Sequence, residues 1–172
     1  DLPDERLLRD YYLAPLRYAC EHGNHPQVLM TAYPALNGIP CTANRHLLTD
    51  IIRNEYGFDG AIVEDYRAIN YIYTQHRSAA SLAEAVAMAI KAGCDNCGCG
   101  GDAFERGAEA ALQQGLITMA DIDRAVINVL RLGFRQGRFN HPSIRNRMRI
   151  RFSAVEVETT RALPYSLFHS QE

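Results

Sequence analysis

The chain of 172 residues is 47% apolar and 22% charged, with 18 basic and 20 acidic residues for a net charge of −2, a composition that excludes global disorder. It contains no apolar run near the roughly 18–20 residues of a membrane-spanning helix, and the opening Asp-Leu-Pro-Asp-Glu-Arg has neither the basic nor the apolar region of a signal peptide. No Asp or Glu occurs between Asp123 and Glu156, where Arg124, Arg131, Arg135, Arg138, Arg145, Arg147, Arg149 and Arg151 all fall; without a recognition motif this reads as a solvated helix face and tail, with no nucleic-acid partner.

From Asp4 to His22, the apolar residues Leu7, Leu8, Tyr11, Tyr12, Leu16 and Ala19 follow one helical face. Pro15 removes a backbone donor and disfavours a helical Ala14, so two short helices are expected rather than one rod. Gln27 to Tyr33 suits a buried strand that Pro34 ends, followed by a loop through Asn37-Gly38 and Pro40. Leu47, Leu48, Ile51 and Ile52 mark a second helix closing at Gly57, and Phe58-Asp59-Gly60 turns into a short strand, Ala61-Ile62-Val63. Ser81-Leu82-Ala83-Glu84 is a capping-box start for a third helix along Leu82, Val86, Ala89 and Ile90. Gly93 ends it, and Cys94 to Gly101 reads as a further short strand or turn. A helix over roughly 103–114 stops at Gly115, and Thr118 with Asp121 opens the last one along Ile122, Val126, Val129 and Leu130.

Alternation of strands and helices implies a parallel sheet with helical crossovers, because parallel neighbours need long connections. Reactive groups of such folds gather at the C-terminal ends of the strands. The residues there are Tyr33, then Glu64, Asp65 and Tyr66, then the Cys94–Cys99 region. A carboxylate in that position is a candidate nucleophile or acid/base group; by residue type alone, Asp65 serves equally as a turn cap.

The run Met-Thr-Ala-Tyr-Pro-Ala-Leu-Asn-Gly-Ile-Pro-Cys-Thr-Ala-Asn-Arg-His-Leu-Leu-Thr-Asp (30–50), followed by Tyr-Gly-Phe-Asp-Gly-Ala-Ile-Val-Glu-Asp-Tyr (56–66), resembles the nucleophile region of glycoside hydrolase family 3. Lys-Ala-Gly-Cys-Asp-Asn-Cys-Gly (91–98) and Gly-Leu-Ile-Thr-Met-Ala-Asp-Ile-Asp-Arg-Ala-Val (115–126) resemble that family's closing strand and final barrel helix. Tyr12-Leu13 with Pro15-Leu16 resembles the helix before the first strand, and His76-Arg77 leans towards the β-xylosidase and larger β-glucosidase members. The resemblance implies an α/β fold: a partial (β/α)₈ TIM barrel of about the last three strand–helix units. Residues 1–139 would be the later part of the catalytic barrel, and 140–172 a linker or divergent tail.

Residue by residue, the resemblance implies that Asp65 is the nucleophile of a retaining β-glycosidase, with Tyr33 an active-site tyrosine beside it. Tyr66 is then an aromatic next to the nucleophile, able to stack on a sugar face. The substrate class implied is an oligosaccharide or aryl β-glycoside ending in glucose or xylose, with no cofactor. A secreted or periplasmic parent enzyme is implied too. Pro34 departs from the family's usual Asn, and Glu64 from its usual small residue. Glu64 is expected to face the helices or a neighbouring loop, since successive strand residues point to opposite faces, so it is not assigned as acid/base.

Cys94-x₂-Cys97-x-Cys99, with Cys20 and Cys41 more distant, has spacing that admits zinc or an iron–sulfur cluster. Packed or free thiols are the reading taken, with no metal; His22, His25 and His46 are read as surface or capping residues. Two function classes stand: a glycosidase segment built on Asp65, and a non-catalytic α/β module of the same fold. About 250 residues is usual for a complete barrel, so either would need missing segments as partners. Exposed strand edges would also self-associate, which sedimentation at micromolar concentration reads.

Overall fold

The computed structural model of the chain describes residues 4–22, 26–96 and 101–139. Cys97, Cys99, His25 and the tail after Phe139 lie outside the described residues. The chain falls into two units, Asp1–Leu132 and Gly133–Glu172.

In the first unit, the Asp4 carboxylate accepts the Leu7 N–H (2.7 Å) and opens α1 (Glu5–Leu7). The helix widens over Leu8–Tyr12, where Leu13 N–H reaches back five residues to the Leu8 carbonyl. It breaks at Leu13, and α2 (Ala14–Glu21) restarts with Pro15 in its first turn, where a missing N–H is harmless. Two short helices are therefore present, as the proline implies.

Strand β1 (Val28–Met30) lies parallel to β4 (Ala61–Val63), pairing Val28 with Ala61, Leu29 with Ile62 and Met30 with Val63. On the far side of β4, Val63 forms a parallel bridge with Asn96. Asp95 N–H donates to Ile62 O (2.7 Å), and Glu64 N–H donates to Asn96 O (3.0 Å). Three segments thus align in parallel in the expected order. The third is a single bridge among the described residues, not a full strand.

Two elements differ from the sequence expectation. The 34–40 loop is a hairpin, β2 (Ala35–Leu36) antiparallel to β3 (Ile39–Pro40). Asn37 (φ 52°) and Gly38 (φ 80°) are both left-handed, the two-residue turn that matches strand twist. A helix, α3 (Ala68–Thr74), also fills the stretch between β4 and Ser81, burying Ala68, Ile69 and Ile72.

The segment His46–Glu55 is a wide, π-type helix that buries Leu47, Leu48, Ile51 and Ile52. α4 (Leu82–Ala92) contributes a small-residue face, with Ala85, Val86 and Ala89 fully buried. At its start Ser81 Oγ accepts the Glu84 N–H (3.2 Å), while the Glu84 carboxylate accepts from Ala80, not Ser81 (2.6 Å). α5 (Gly101–Gln113) packs on α4. A Cβ on Gly107 would come within 2.7 Å of Val86 Cγ2, so the bare backbone permits this approach. α6 (Met119–Arg135) is opened by reciprocal Thr118 and Asp121 bonds.

Ile62, with no exposure, sits in a cluster with Ile51, Ile72, Val86 and Ile90. The side chain of Asp95, also fully buried, forms an ion pair with Arg53 and accepts from the Ile62 N–H (2.8 Å) and Asn128 Nδ2 (2.9 Å). Arg53 in turn donates to Gly60 O (3.0 Å). A buried carboxylate needs such compensation, and this one ties the wide helix, β4 and α6 together. An apolar groove of about 540 Å³ opens beside β1, lined by Leu13, Leu16, Leu29, Met30 and Leu36 among others.

Of the second unit, residues Gly133–Phe139 are described. Arg138 N–H donates to Gly133 O (3.0 Å), and the rings of Phe134 and Phe139 lie 4.3 Å apart. A Cβ at Gly133 would meet the Phe139 ring at 2.9 Å.

Candidate active site

Two strand ends meet at the C-terminal edge of the parallel sheet. β1 continues through Thr31, whose N–H donates to Val63 O (2.8 Å) and whose hydroxyl bonds Thr42 in the interior (2.8 Å). Two residues on stands Tyr33, 39% exposed. β4 ends in Glu64 and Asp65, and there the alternation of the strand separates two carboxylates.

Glu64 is 3% exposed, and its carboxylate accepts the Ile69 N–H of α3 (2.7 Å). It faces the helix, as strand alternation implies, and satisfies one of the donors that a helix start leaves open. Asp65 is half-buried. Its Oδ1 accepts the Tyr66 N–H (2.6 Å) and its carbonyl accepts the Ala68 N–H (2.9 Å). The turn-capping use of Asp65 and its position at the sheet edge therefore coexist: the bond to Tyr66 restrains the carboxylate's rotamer.

Tyr33 comes to the same place. Its hydroxyl donates to Tyr66 O (2.7 Å). Burial first, then the neighbouring Asp65 carboxylate, holds its phenol above the ordinary value, so Tyr33 stays protonated beside a carboxylate. Tyr66 is 52% exposed, with the Arg67 guanidinium 5.5 Å from its ring centroid, which occupies one face. Asp65, Tyr33 and Tyr66 are thus brought together by β1 and β4.

Two further neighbours stand on the unforeseen α3 excursion: Tyr71, which the sequence did not single out, and His76, which entered only through the family resemblance and without a role. Tyr71 sets its ring 5.3 Å from that of Tyr33, and His76 places Nε2 2.9 Å from Tyr33 O. Ala68, Ile69 and Ile72 follow a helical spacing, but over too few residues to stand out as a pattern.

The cysteines lie elsewhere. Cys94 is buried with Sγ towards Ile62 O (3.8 Å) and Asn96 O (3.6 Å), and Cys20 and Cys41 are free thiols. Among the described residues no group of three or more His, Cys, Asp or Glu is arranged to hold a metal. His22 stacks on Tyr18 at 4.0 Å, and His46 bonds Glu5 (2.8 Å). Both are surface contacts. Among the described residues no helix is long and apolar enough to cross a membrane.

Comparison with known proteins bears on the chain as a whole. The model of the glycosyl hydrolase family 3 N-terminal domain matches residues 1–132. A periplasmic beta-glucosidase of Salmonella typhimurium is 34% identical over 142 residues, covering 83% of this chain and 18% of the relative. Probable beta-D-xylosidase 7 of Arabidopsis thaliana is 37% identical over 134 residues, 77% of this chain and 17% of the relative. The chain thus spans less than a fifth of the curated relatives it matches. Among solved structures, a beta-glucosidase from Listeria innocua in complex with glucose superposes with a TM-score of 0.72 at 27% identity, covering 83% of this chain and 19% of the other. Parallel strand ends that carry Tyr33 and Asp65, and a domain match over most of the chain, lead to one assignment: the chain belongs to glycosyl hydrolase family 3.

Proposed function

We propose that the polypeptide carrying this chain is a retaining β-glycosidase that removes terminal β-linked glucose or xylose, with Asp65 as its nucleophile. The observation that carries the reading is the half-buried Asp65 carboxylate at the end of β4, tethered to Tyr66 N–H and flanked by the Tyr33 phenol from β1. Such a carboxylate attacks the anomeric carbon, the glycosidic C–O bond breaks, and water later hydrolyses the glycosyl ester. The phenol beside it, whose proton goes to Tyr66 O, keeps a lone pair that can accept from a sugar hydroxyl, and the open face of Tyr66 suits the C–H face of a sugar ring.

In this reading residues 1–139 form the later strand–helix units of a (β/α)₈ catalytic barrel, and 140–172 a linker or divergent tail. The Salmonella relative's name supports a periplasmic parent. The missing barrel segments are the partners that complete the sugar site.

Labelling with an activated aryl 2-deoxy-2-fluoro-β-glycoside tests the nucleophile. The expected result is one glycosyl mass on the peptide containing Asp65, absent in Asp65→Asn. An adduct on a peptide lacking Asp65 overturns the assignment.

A second reading, a non-catalytic module of the same fold, has one observation in its favour. Glu64 and Asp95, the buried carboxylates nearest the strand ends, hold Ile69 N–H and Arg53 respectively, which leaves general-acid duty to a group elsewhere. Losing that group removes roughly 10²–10⁴-fold in rate. No Asp65-dependent turnover of an activated aryl glycoside is the outcome this reading expects, and appreciable turnover overturns it.

A further inference from the structure

The α3 excursion between β4 and α4 does more than connect them. It leaves β4 at Asp65, turns through Arg67 (φ 62°), runs as α3, and ends through Arg77 (φ 53°). Left-handed backbone at two arginines is uncommon and persists where the surroundings over-determine it. The end of the excursion is hydrogen-bonded accordingly: Gln75 N–H and His76 N–H both donate to Tyr71 O (3.0 and 2.8 Å), and Ser78 N–H donates to Ile72 O (2.9 Å). His76 is thereby fixed on a short, rigid return.

From there its imidazole crosses 43 positions of sequence to Tyr33 O, with Nε2 at 2.9 Å. The partner is a carbonyl, so Nε2 is the donor; the cation and the Nε2–H neutral tautomer both supply it. The acceptor is unusual too. It is the acyl oxygen of the Tyr33–Pro34 bond, and proline restricts the backbone of the residue before it. Three contacts from one excursion thus hold Tyr33: His76 on its carbonyl, Tyr71 against its ring at 5.3 Å, and Tyr66 O on its hydroxyl at 2.7 Å.

We propose that His76 is a positioning residue for the Asp65–Tyr33 pair: its Nε2–H, bonded to Tyr33 O, holds Tyr33 in place beside Asp65, two residues beyond the last β1–β4 backbone bond at Thr31. The inference rests on the nucleophile reading above. His76 touches neither Asp65 nor the sugar in this scheme. It acts through Tyr33, so its loss lets the Tyr33 segment drift beyond the Thr31–Val63 bond while β4 keeps its own bonds to Asn96 and α3. A reacting pair is sensitive to such drift, because near-attack geometry is lost over about an ångström.

The test uses the full-length polypeptide with the 2,4-dinitrophenyl 2-deoxy-2-fluoro-β-glucoside and the matching xyloside. In the reaction read out, an Asp65 carboxylate oxygen bonds the anomeric carbon and dinitrophenolate leaves with the electrons of the broken C–O bond; no proton is needed. Intact-mass labelling gives a first-order constant at saturation and a half-saturation concentration. His76→Phe keeps a ring but no donor, and His76→Gln places an amide N–H near the position of Nε2.

The expected result for His76→Phe is a fall of about ten-fold in the saturating labelling constant with little change in half-saturation, with His76→Gln returning to within about three-fold of wild type. A packing role predicts the reverse order, Phe above Gln. That order, or equal rates in all three proteins, overturns the proposal. Melting temperatures separate loss of fold from loss of position, and His76→Ala against His76→Gln, measured below both melting points, makes the same contrast without a phenyl ring. Wild-type protein that takes no label at Asp65 overturns the nucleophile reading and this inference with it. Labelled wild type with an indifferent His76 overturns this inference alone.

Discussion

Glu64 and Asp65 are adjacent carboxylates with opposite surroundings, one 3% exposed against the N–H of Ile69, the other half-buried at the sheet edge. A strand turns successive side chains to opposite faces, so this division was legible before any coordinates. The use made of Glu64 was not, because the helix it serves had not been foreseen. Glu64→Ala leaves the Ile69 N–H buried and unpaired, and is expected to cost about 1–3 kcal/mol. Glu64→Gln keeps an acceptor oxygen and should cost less. Urea unfolding of the two variants measures the difference, and equal stability of Glu64→Ala and wild type would refute the capping role. Tyr33 was legible as a strand-end aromatic, whereas its raised phenol pKa comes from burial first and from the neighbouring Asp65 second, both set by the fold.

At the scale of elements, the parallel pair β1–β4 depends on one close approach. Ala61 N–H donates to Gln27 O (3.0 Å), and a Cβ on Gly60 would lie 2.4 Å from that same oxygen. Neither atom is the end of a flexible side chain, so the backbones must part. Gly60→Ala is therefore expected to destabilise the protein by about 1–3 kcal/mol through overpacking, read as a fall in melting temperature. An unchanged melting temperature would show that the strands can separate without loss. The helix starts at Ser81 and Thr118 followed from short polar residues at fixed offsets from the next backbone donors, and the structure keeps both. The Asn37-Gly38 hairpin carried an equally local signal, but flanking prolines at 34 and 40 masked it as loop. α3 escaped because its seven residues are too short for a periodic pattern to stand out.

For the whole molecule, titration sets the conditions in which the fold is most stable. The hydrogen bond from Arg9 holds Glu55 below its ordinary value of 4.5, and the Thr118 backbone N–H does the same for Asp121 against 3.8. Lowered carboxylates contribute stability above the unfolded value and lose it as pH falls through the folded one. Burial raises the thiols of Cys20 and Cys41 above 9.0 and the phenols of Tyr33 and Tyr56 above 10.0. Their contribution is complete below those ordinary values and is lost as pH rises, because the unfolded chain ionises first. Stability is expected to be flat between about pH 5 and 8 and to fall on both sides. Denaturant midpoints across the range measure this, and a midpoint that climbs from pH 8 to 10 would contradict it.

The sequence by itself determined the helix and strand alternation, the helix caps, the parallel arrangement and the family, because these rest on local periodicity, short-range hydrogen bonding and a matched order of motifs. Only the tertiary structure decided what holds Tyr33. Tyr71 and His76 reach it from the α3 excursion, His76 across 43 positions, and their meeting depends on the β1–β4 register and on the left-handed arginines that bracket the excursion. Register and backbone strain are set by packing across the sheet, a non-local cause that no window of the chain contains.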